Sequence, residues 1–267
     1  GLSLSLYLTA SAKWLTIETF KTVEDGDPLE LHIAYPPGHK ASDQRPAIIF
    51  FFGGGWKFGK PGQFYPYIQA LSKEGIVAIS AQYRTKSSHD ASPVECVKDG
   101  KSAIRYVREH ATKLGVDPNR IIAGGGSAGG HVAACTAIDI APYEMSEDAS
   151  ISSRPQALVL LNPVLSVGPD GYAHGYVKRS IQSWEDLSPL HNVELRFPPT
   201  LIQVGTADKI LPVGMAEEFE AEMQEAGNSV EVVFYEGASH GFFNKPEYRE
   251  QTIEEIKEFL RSLGYLN

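Results

Sequence analysis

The sequence predicts an α/β fold, a mostly parallel central sheet with helices on both faces. Three observations carry that expectation. Short apolar runs alternate with helical patterns from residue 47 to the C-terminus, which specifies repeated strand–helix units. The run Ala47-Ile-Ile-Phe-Phe-Phe52 is apolar at every position, as in a strand covered on both faces. Residues 120–138 pass from an apolar run through Gly124-Gly125-Gly126-Ser127-Ala128-Gly129-Gly130-His131 into a small-residue helical pattern, so a buried strand enters a sharp turn and then a helix.

Each element follows from its own signal. Leu2, Leu4, Leu6 and Leu8 alternate with Ser3, Ser5, Tyr7 and Thr9, so residues 1–12 are expected to form an extra N-terminal edge strand, able to pair with a second copy as a homodimer. Ala10 and Ala12 also fit a signal-peptide cleavage site, but the positively charged start of such a peptide is missing. Residues 17–21 and 29–35 read as strands joined by the turn Glu24-Asp25-Gly26-Asp27. After Pro36-Pro37-Gly38 comes the apolar strand, which stops at Gly53-Gly54-Gly55-Trp56. A helix is expected over 64–74 with Gly75 as its stop, then a strand over 76–81. Residues 93–114 read as one long helix ended by Gly115, leading through Asp117-Pro118 to the strand before Ser127. Strands at 157–161, 200–205 and 231–235 and helices at 213–226 and 247–263 complete the alternation. Between 164 and 197 the pattern dissolves into Gly, Pro, Tyr and an isolated Trp184; a connection this long is expected to cover a site as a short lid. No linker divides the chain, so one domain over 1–267 is the expectation.

Composition narrows the function classes. A net charge of −9 with a pI near 5.4 argues against nucleic acid and anionic membranes. Nowhere does an apolar run reach the roughly eighteen residues a membrane helix needs, so a soluble chain without membrane insertion is expected. The two cysteines, Cys96 and Cys135, fall in helical patterns beside apolar neighbours and read as buried thiols. They leave the compartment open, cytoplasmic or exported.

The chemistry centres on Ser127. The frame Gly125-x-Ser127-x-Gly129 between strand and helix is the nucleophile-elbow pattern. Gly124-x-Gly126-x-x-Gly129 also fits a dinucleotide loop, but the next strand ends in Asn162-Pro163 rather than an acidic residue, and the motif lies mid-chain. A Walker loop fails because His131 and Val132 stand where Lys and Ser/Thr are needed. A serine hydroxyl needs a base and a carboxylate to orient it, here in the order Ser, Asp/Glu, His. Asp208, in Gly205-Thr206-Ala207-Asp208, and His240, in Gly237-Ala238-Ser239-His240-Gly241, both follow strands and supply that order. Glu236 and Asp186 are the reserve carboxylates, His191 is the reserve imidazole, and His131 reads as helix packing. Negative charge on a tetrahedral intermediate would be met by the N–H groups of Gly54, Gly55 and Ala128. Trp56, Phe58, Phe64, Tyr65, Phe242 and Phe243 gather around these loops in sequence, either as pocket or as core; Trp56 and Phe242 are the expected substrate contacts.

Taken together, the triple glycine before Trp56, Gly125-Gly126-Ser127-Ala128-Gly129, Gly205-Thr206-Ala207-Asp208 and His240-Gly241-Phe242-Phe243 resemble the α/β-hydrolase fold, specifically bacterial esterases related to hormone-sensitive lipase and feruloyl- or acetyl-esterase-like carboxylesterases. The resemblance runs from about residue 17 to the C-terminus. It implies a serine carboxylesterase acting on small, short-acyl esters through an acyl-enzyme, without metal or organic cofactor. A carbohydrate acetyl or feruloyl esterase, a serine peptidase and a non-catalytic binding module are the alternatives. One departure stands out: the family often has His before the three glycines, and this chain has Phe52. The long N-terminal helical cap of many lipase-like relatives is absent from the pattern, which implies an open site.

Overall fold

The structure is a computed structural model that describes residues 14–194 and 196–267. The strand expected over 1–12, and with it the pairing of a second copy there, lies outside the described residues.

Among the described residues eight strands form one sheet: β1 (Thr16–Lys21), β2 (Leu29–Ala34), β3 (Arg45–Phe51), β4 (Val77–Ala81), β5 (Val116–Gly126), β6 (Ala157–Leu161), β7 (Thr200–Gly205) and β8 (Val230–Tyr235). Their spatial order is β1-β2-β4-β3-β5-β6-β7-β8, with the β1–β2 and β2–β4 pairs antiparallel and the remaining pairs parallel. The helices are α1 (Tyr65–Ser72), α2 (Lys86–His89), α3 (Pro93–Glu109), α4 (Ala111–Leu114), α5 (Ala128–Thr136), α6 (His174–Ser180), α7 (Val213–Glu225) and α8 (Pro246–Ser262). Among the described residues no helix is long and apolar enough to cross a membrane.

Parallel pairing explains the apolar runs. Ile48, Ile49, Phe50 and Phe51 of β3 and Leu158 to Leu161 of β6 are all fully buried, because a helix layer covers each face. Alternation still sorts the side chains. Phe50 stacks on Phe64 at 4.8 Å beside α1, while the ring of Phe51 lies toward Gly100 of α3, which meets Val132 and Thr136 of α5. Cys96 and Cys135 are buried and unbridged in α3 and α5.

Two expected elements take a different form. The single helix over 93–114 is two, because His110 leaves helical geometry with φ −99° and ψ 19° and closes α3 before α4 begins. The strand before the elbow is longer than its apolar run: β5 starts at Val116, where the carbonyl of neighbouring Gly115 accepts the Arg45 N–H. α3 begins where its first turn is most strongly specified, with Ser92 and Glu95 capping each other and Pro93 at the first helical position. The 164–197 connection contains α6 and 3₁₀ turns at Trp184–Leu187 and Pro189–Asn192.

Strand order places the site. From β3 the chain turns outward to β4, and it returns on the other side of β3 as β5. Loops leaving two such neighbours diverge and open a crevice at the carboxyl edge. Because Phe51 pairs with Gly125, the glycine loop after β3 and the turn after β5 start level with each other.

Candidate active site

Ser127 occupies the apex of the turn between β5 and α5 with φ 54° and ψ −118°, a region that side chains disfavour. Tight packing holds it there. A Cβ at Gly129 would lie 2.0 Å from the Phe51 carbonyl oxygen, so only glycine lets α5 come this close to β3. The Ser127 N–H donates to the Leu161 carbonyl, and the Ser127 carbonyl accepts from Val164 and His131. The elbow is thereby tied to β6 and to its own helix.

His240 arrives from the loop after β8 and Asp208 from the loop after β7. Ser127 Oγ lies 2.9 Å from His240 Nε2, and His240 Nδ1 lies 2.7 Å from Asp208 Oδ2. Asp208 Oδ1 accepts the N–H groups of Ile210 at 2.9 Å and Leu211 at 2.8 Å, which fixes the buried carboxylate. A carboxylate only accepts, so Nδ1 carries the imidazole proton and Nε2 presents its lone pair to the serine hydroxyl. The reserves lie elsewhere: His191 Nδ1 pairs with Ser188 Oγ at 2.8 Å, Asp186 sits in a 3₁₀ turn of the 164–197 segment, and Glu236 is exposed.

The glycine loop faces this trio. Gly54 has φ 139°, and a Cβ there would fall 1.9 Å from the Phe58 carbonyl oxygen, so the turn requires glycine. Among the described residues the N–H groups of Gly54, Gly55 and Ala128 donate no hydrogen bond, and Ala128 begins α5, whose free N–H groups favour negative charge. The loop is braced without a histidine at residue 52. The Tyr83 hydroxyl donates to the Phe52 carbonyl at 2.5 Å, its ring stacks on Phe52 at 4.2 Å, and the Gly53 N–H donates to Gln63 Oε1 at 2.7 Å.

These groups open onto a cleft of about 500 Å³. Its apolar wall is Phe58, Ile210, Phe243 and Tyr172, the last from the 164–197 segment. Two expected contacts are corrected here. Trp56 and Phe242 are fully buried and do not line the cleft. The Trp56 indole is drawn inward to His131 at 3.2 Å, and Phe242 stacks on Tyr235 at 4.6 Å. Their neighbours Phe58 and Phe243 take the lining positions.

Asn162 is a residue that sequence reasoning passed over. It follows β6 with φ 33°, is buried, and its Oδ1 accepts the Gly241 N–H at 2.8 Å, tethering the His240 loop beside the elbow. Its place just after a buried strand, at the edge that carries Ser127, was the available signal. Gln63 and Tyr83 had no comparable signal, because a braced carbonyl leaves no spacing pattern.

Residues 31–159 match the BD-FAE family and residues 174–263 the dienelactone hydrolase family. A thermophilic esterase from Thermogutta terrifontis, Est2, is 41% identical, with 95% of this chain and 94% of that one covered at a TM-score of 0.89. Solved forms of that esterase are described as propionate-bound, butyrate-bound and phosphorylated by paraoxon. Among curated proteins, "Probable isoprenylcysteine alpha-carbonyl methylesterase ICMEL1" of Arabidopsis thaliana is 30% identical over 73% of this chain and 45% of its own length. "Esterase LipC" of Mycobacterium tuberculosis is 28% identical over 81% of this chain and 58% of its own. The chain thus spans about half the length of these curated relatives.

Proposed function

This chain belongs to the α/β-hydrolase-fold esterases, and on that footing we propose that it is a serine carboxylesterase acting on small, short-acyl esters. The observation that carries the reading is the continuous relay from Ser127 Oγ through His240 to Asp208, at 2.9 and 2.7 Å, beside the N–H groups of Gly54, Gly55 and Ala128, which donate no hydrogen bond among the described residues. The relay supports the following sequence. Ser127 attacks the ester carbonyl carbon while His240 Nε2 takes the hydroxyl proton, and Asp208 steadies the imidazolium that forms. The carbonyl oxygen becomes an oxyanion, met by the N–H groups of Gly54, Gly55 and Ala128. Collapse of this intermediate breaks the bond to the alcohol, which leaves with the proton from His240. A water then gives a proton to His240 and attacks the acyl carbonyl carbon; collapse of this second intermediate breaks the bond to Ser127 Oγ, which takes the proton back from His240 as the acid leaves.

Cleft size and lining support short acyl groups. A space of about 500 Å³ shared by Phe58, Ile210, Phe243 and Tyr172 suits a small ester with an apolar acyl or alkoxy arm. Propionate and butyrate in the Thermogutta esterase agree with that size. We also read the 164–197 segment as a partial lid, supported by Tyr172 in the cleft wall.

The test is turnover of p-nitrophenyl acetate, propionate, butyrate and octanoate by wild type and Ser127→Ala. Wild type is expected to prefer the acyl groups up to butyrate, and Ser127→Ala to lose turnover with an unchanged circular dichroism spectrum. Paraoxon should add a diethylphosphoryl group to the peptide containing Ser127. Retained turnover in Ser127→Ala, or labelling of another residue, would overturn the assignment.

A further inference from the structure

His131 has no part in the relay, yet it joins three elements that border the cleft. It lies one helical turn past Ser127, and its N–H donates to the Ser127 carbonyl at 3.1 Å. Its ring is fully buried. The Nε2 atom is 2.6 Å from the Leu187 carbonyl oxygen, and Nδ1 is 3.2 Å from the Trp56 indole nitrogen. A carbonyl only accepts and an indole N–H only donates. One tautomer satisfies both: Nε2 carries the proton for Leu187, and Nδ1 receives the Trp56 proton.

The Trp56 end of this contact needs an anchor. Trp56 directly follows Gly55 and has φ 62°, a left-handed conformation that is an outlier for a bulky residue. Such a conformation persists only where the surroundings enforce it. The surroundings here are the His131 ring, edge-on at 5.0 Å, the rings of Tyr172 and Tyr176 at 5.8 and 6.4 Å, and the Lys86 N–H, which donates to the Trp56 carbonyl at 3.0 Å. The near end of the same loop is held at Phe52 and Gly53 by Tyr83 and Gln63. Gly54 and Gly55 lie between the two anchors and have no side chain of their own to fix them.

We propose that His131 is a positioning residue for the esterase reaction: by accepting the Trp56 indole proton it clamps the far end of the glycine loop and so aims the Gly54 and Gly55 N–H groups at the oxyanion. This role rests on the esterase reading and deepens it. The Leu187 carbonyl sets the tautomer, so the segment that supplies Tyr172 to the cleft also keeps His131 able to accept. Because the oxyanion exists only along the reaction path, a misplaced donor lowers kcat and leaves KM nearly alone.

The experiment compares wild type, Trp56→Phe, His131→Phe, His131→Asn and the double Trp56→Phe/His131→Phe. It measures kcat and KM for p-nitrophenyl acetate and the inhibition constant of an alkyl trifluoromethyl ketone, whose adduct carries an oxyanion. Trp56→Phe and His131→Phe are expected to lower kcat about tenfold, less than the hundredfold or more for losing an oxyanion donor outright, with KM within about twofold and ketone affinity falling in step with kcat. The double variant should be no worse than the more impaired single. His131→Asn places an amide oxygen near the Nδ1 position and should recover part of kcat; a packing role would instead favour the Phe variant. Unchanged kcat and ketone affinity with only a lowered melting temperature, multiplicative effects in the double, or Phe outperforming Asn would overturn the proposal. Should His131→Phe fail to fold, Trp56→Phe keeps an aromatic ring in place and decides through the same two readouts. Failure of wild type to hydrolyse any ester would strike the esterase reading, whereas these variant ratios strike only the role of His131.

Discussion

Asp208→Asn tests the relay with the least change in shape, and the structure dictates how the amide must sit. Oδ1 of Asp208 accepts two backbone N–H groups, from Ile210 and Leu211, and both need an acceptor. An asparagine therefore turns its oxygen toward them and its NH₂ group toward His240 Nδ1. At the 2.7 Å now spanned by that contact, two donors cannot face each other. The imidazole responds by moving its proton to Nε2, where it points at Ser127 Oγ, and the base loses the lone pair that would take the serine proton. Loss of the correct tautomer in a serine–histidine–aspartate site is worth about 10⁴ in kcat, or about 5.4 kcal/mol of barrier. Steady-state turnover of p-nitrophenyl butyrate at pH 7.5 measures it directly, with a urea melt to show that the fold survives. Asp208→Ala is the companion variant. It leaves His240 free to take either tautomer and is expected to be no more damaging to kcat than Asn. Loss of less than about tenfold in Asp208→Asn, or an alanine variant clearly worse at equal stability, would refute the tautomer argument.

Three further outcomes follow from the same geometry. Tyr83→Phe keeps the ring stacked on Phe52 but leaves the buried Phe52 carbonyl without its donor, so unfolding in urea should reveal a loss of about 1–3 kcal/mol; an unchanged midpoint would mean that the brace is idle. Burial pushes the His131 imidazole down to about 4 from an ordinary value of 6.5. The unfolded chain then binds a proton that the folded chain refuses, so this group's share of stability falls as pH drops through 6.5, by about 2 kcal/mol at pH 5 relative to pH 8. The difference in unfolding free energy between those two pH values should shrink by that amount in His131→Asn, and an identical pH dependence would contradict it. Phe58 is 63% exposed on the cleft wall, and Phe58→Ala should flatten the rise in kcat/KM from acetate to butyrate esters, since each acyl methylene gains about 0.8 kcal/mol only where it meets apolar surface; an unaltered rise would place the acyl arm elsewhere.

The parts legible in the sequence are those in which one residue type is forced by local geometry. Strand β6 begins and ends where its apolar run does, because it is covered on both faces and buried at every position; β7 keeps its expected bounds although Gln203 is buried within it, where its amide donates to the Thr252 carbonyl at 3.0 Å. Ser127, Asp208 and His240 stood out because each follows a strand of the parallel sheet, and their convergence is a consequence of strand order. What could not be read were contacts made across the fold. Trp56 and Phe242 looked like pocket aromatics by their nearness to the loops, and nothing local says which of two adjacent aromatics turns inward. A buried partner does: His131 holds Trp56, and Tyr235 stacks on Phe242. His110 as a break between α3 and α4 was illegible for another reason, since His–Ala is no helix stop by itself and the break arises where the chain turns into β5.

Phe52 is the instructive departure, because the family pattern often has an imidazole there. The reaction asks nothing of that side chain directly; it asks that the N–H groups two and three residues later point into the cleft and stay there while charge develops. Electrostatic stabilisation of this kind depends on donors already in place, with no reorganisation left to do. Any set of contacts that fixes the backbone on both sides of Gly54 and Gly55 meets the requirement. In this chain the near side is fixed through main-chain atoms, with Tyr83 on the Phe52 carbonyl and Gln63 on the Gly53 N–H, and the far side through the indole of Trp56 and the Lys86 N–H on the Trp56 carbonyl. A phenylalanine at position 52 is compatible with that scheme because its carbonyl takes the hydrogen bond and its ring supplies the stacking surface for the tyrosine that donates it. The bracing has moved from a side chain within the motif to Tyr83 just after β4, Gln63 in the turn before α1 and His131 in α5, so the loop keeps its geometry while the motif loses a letter.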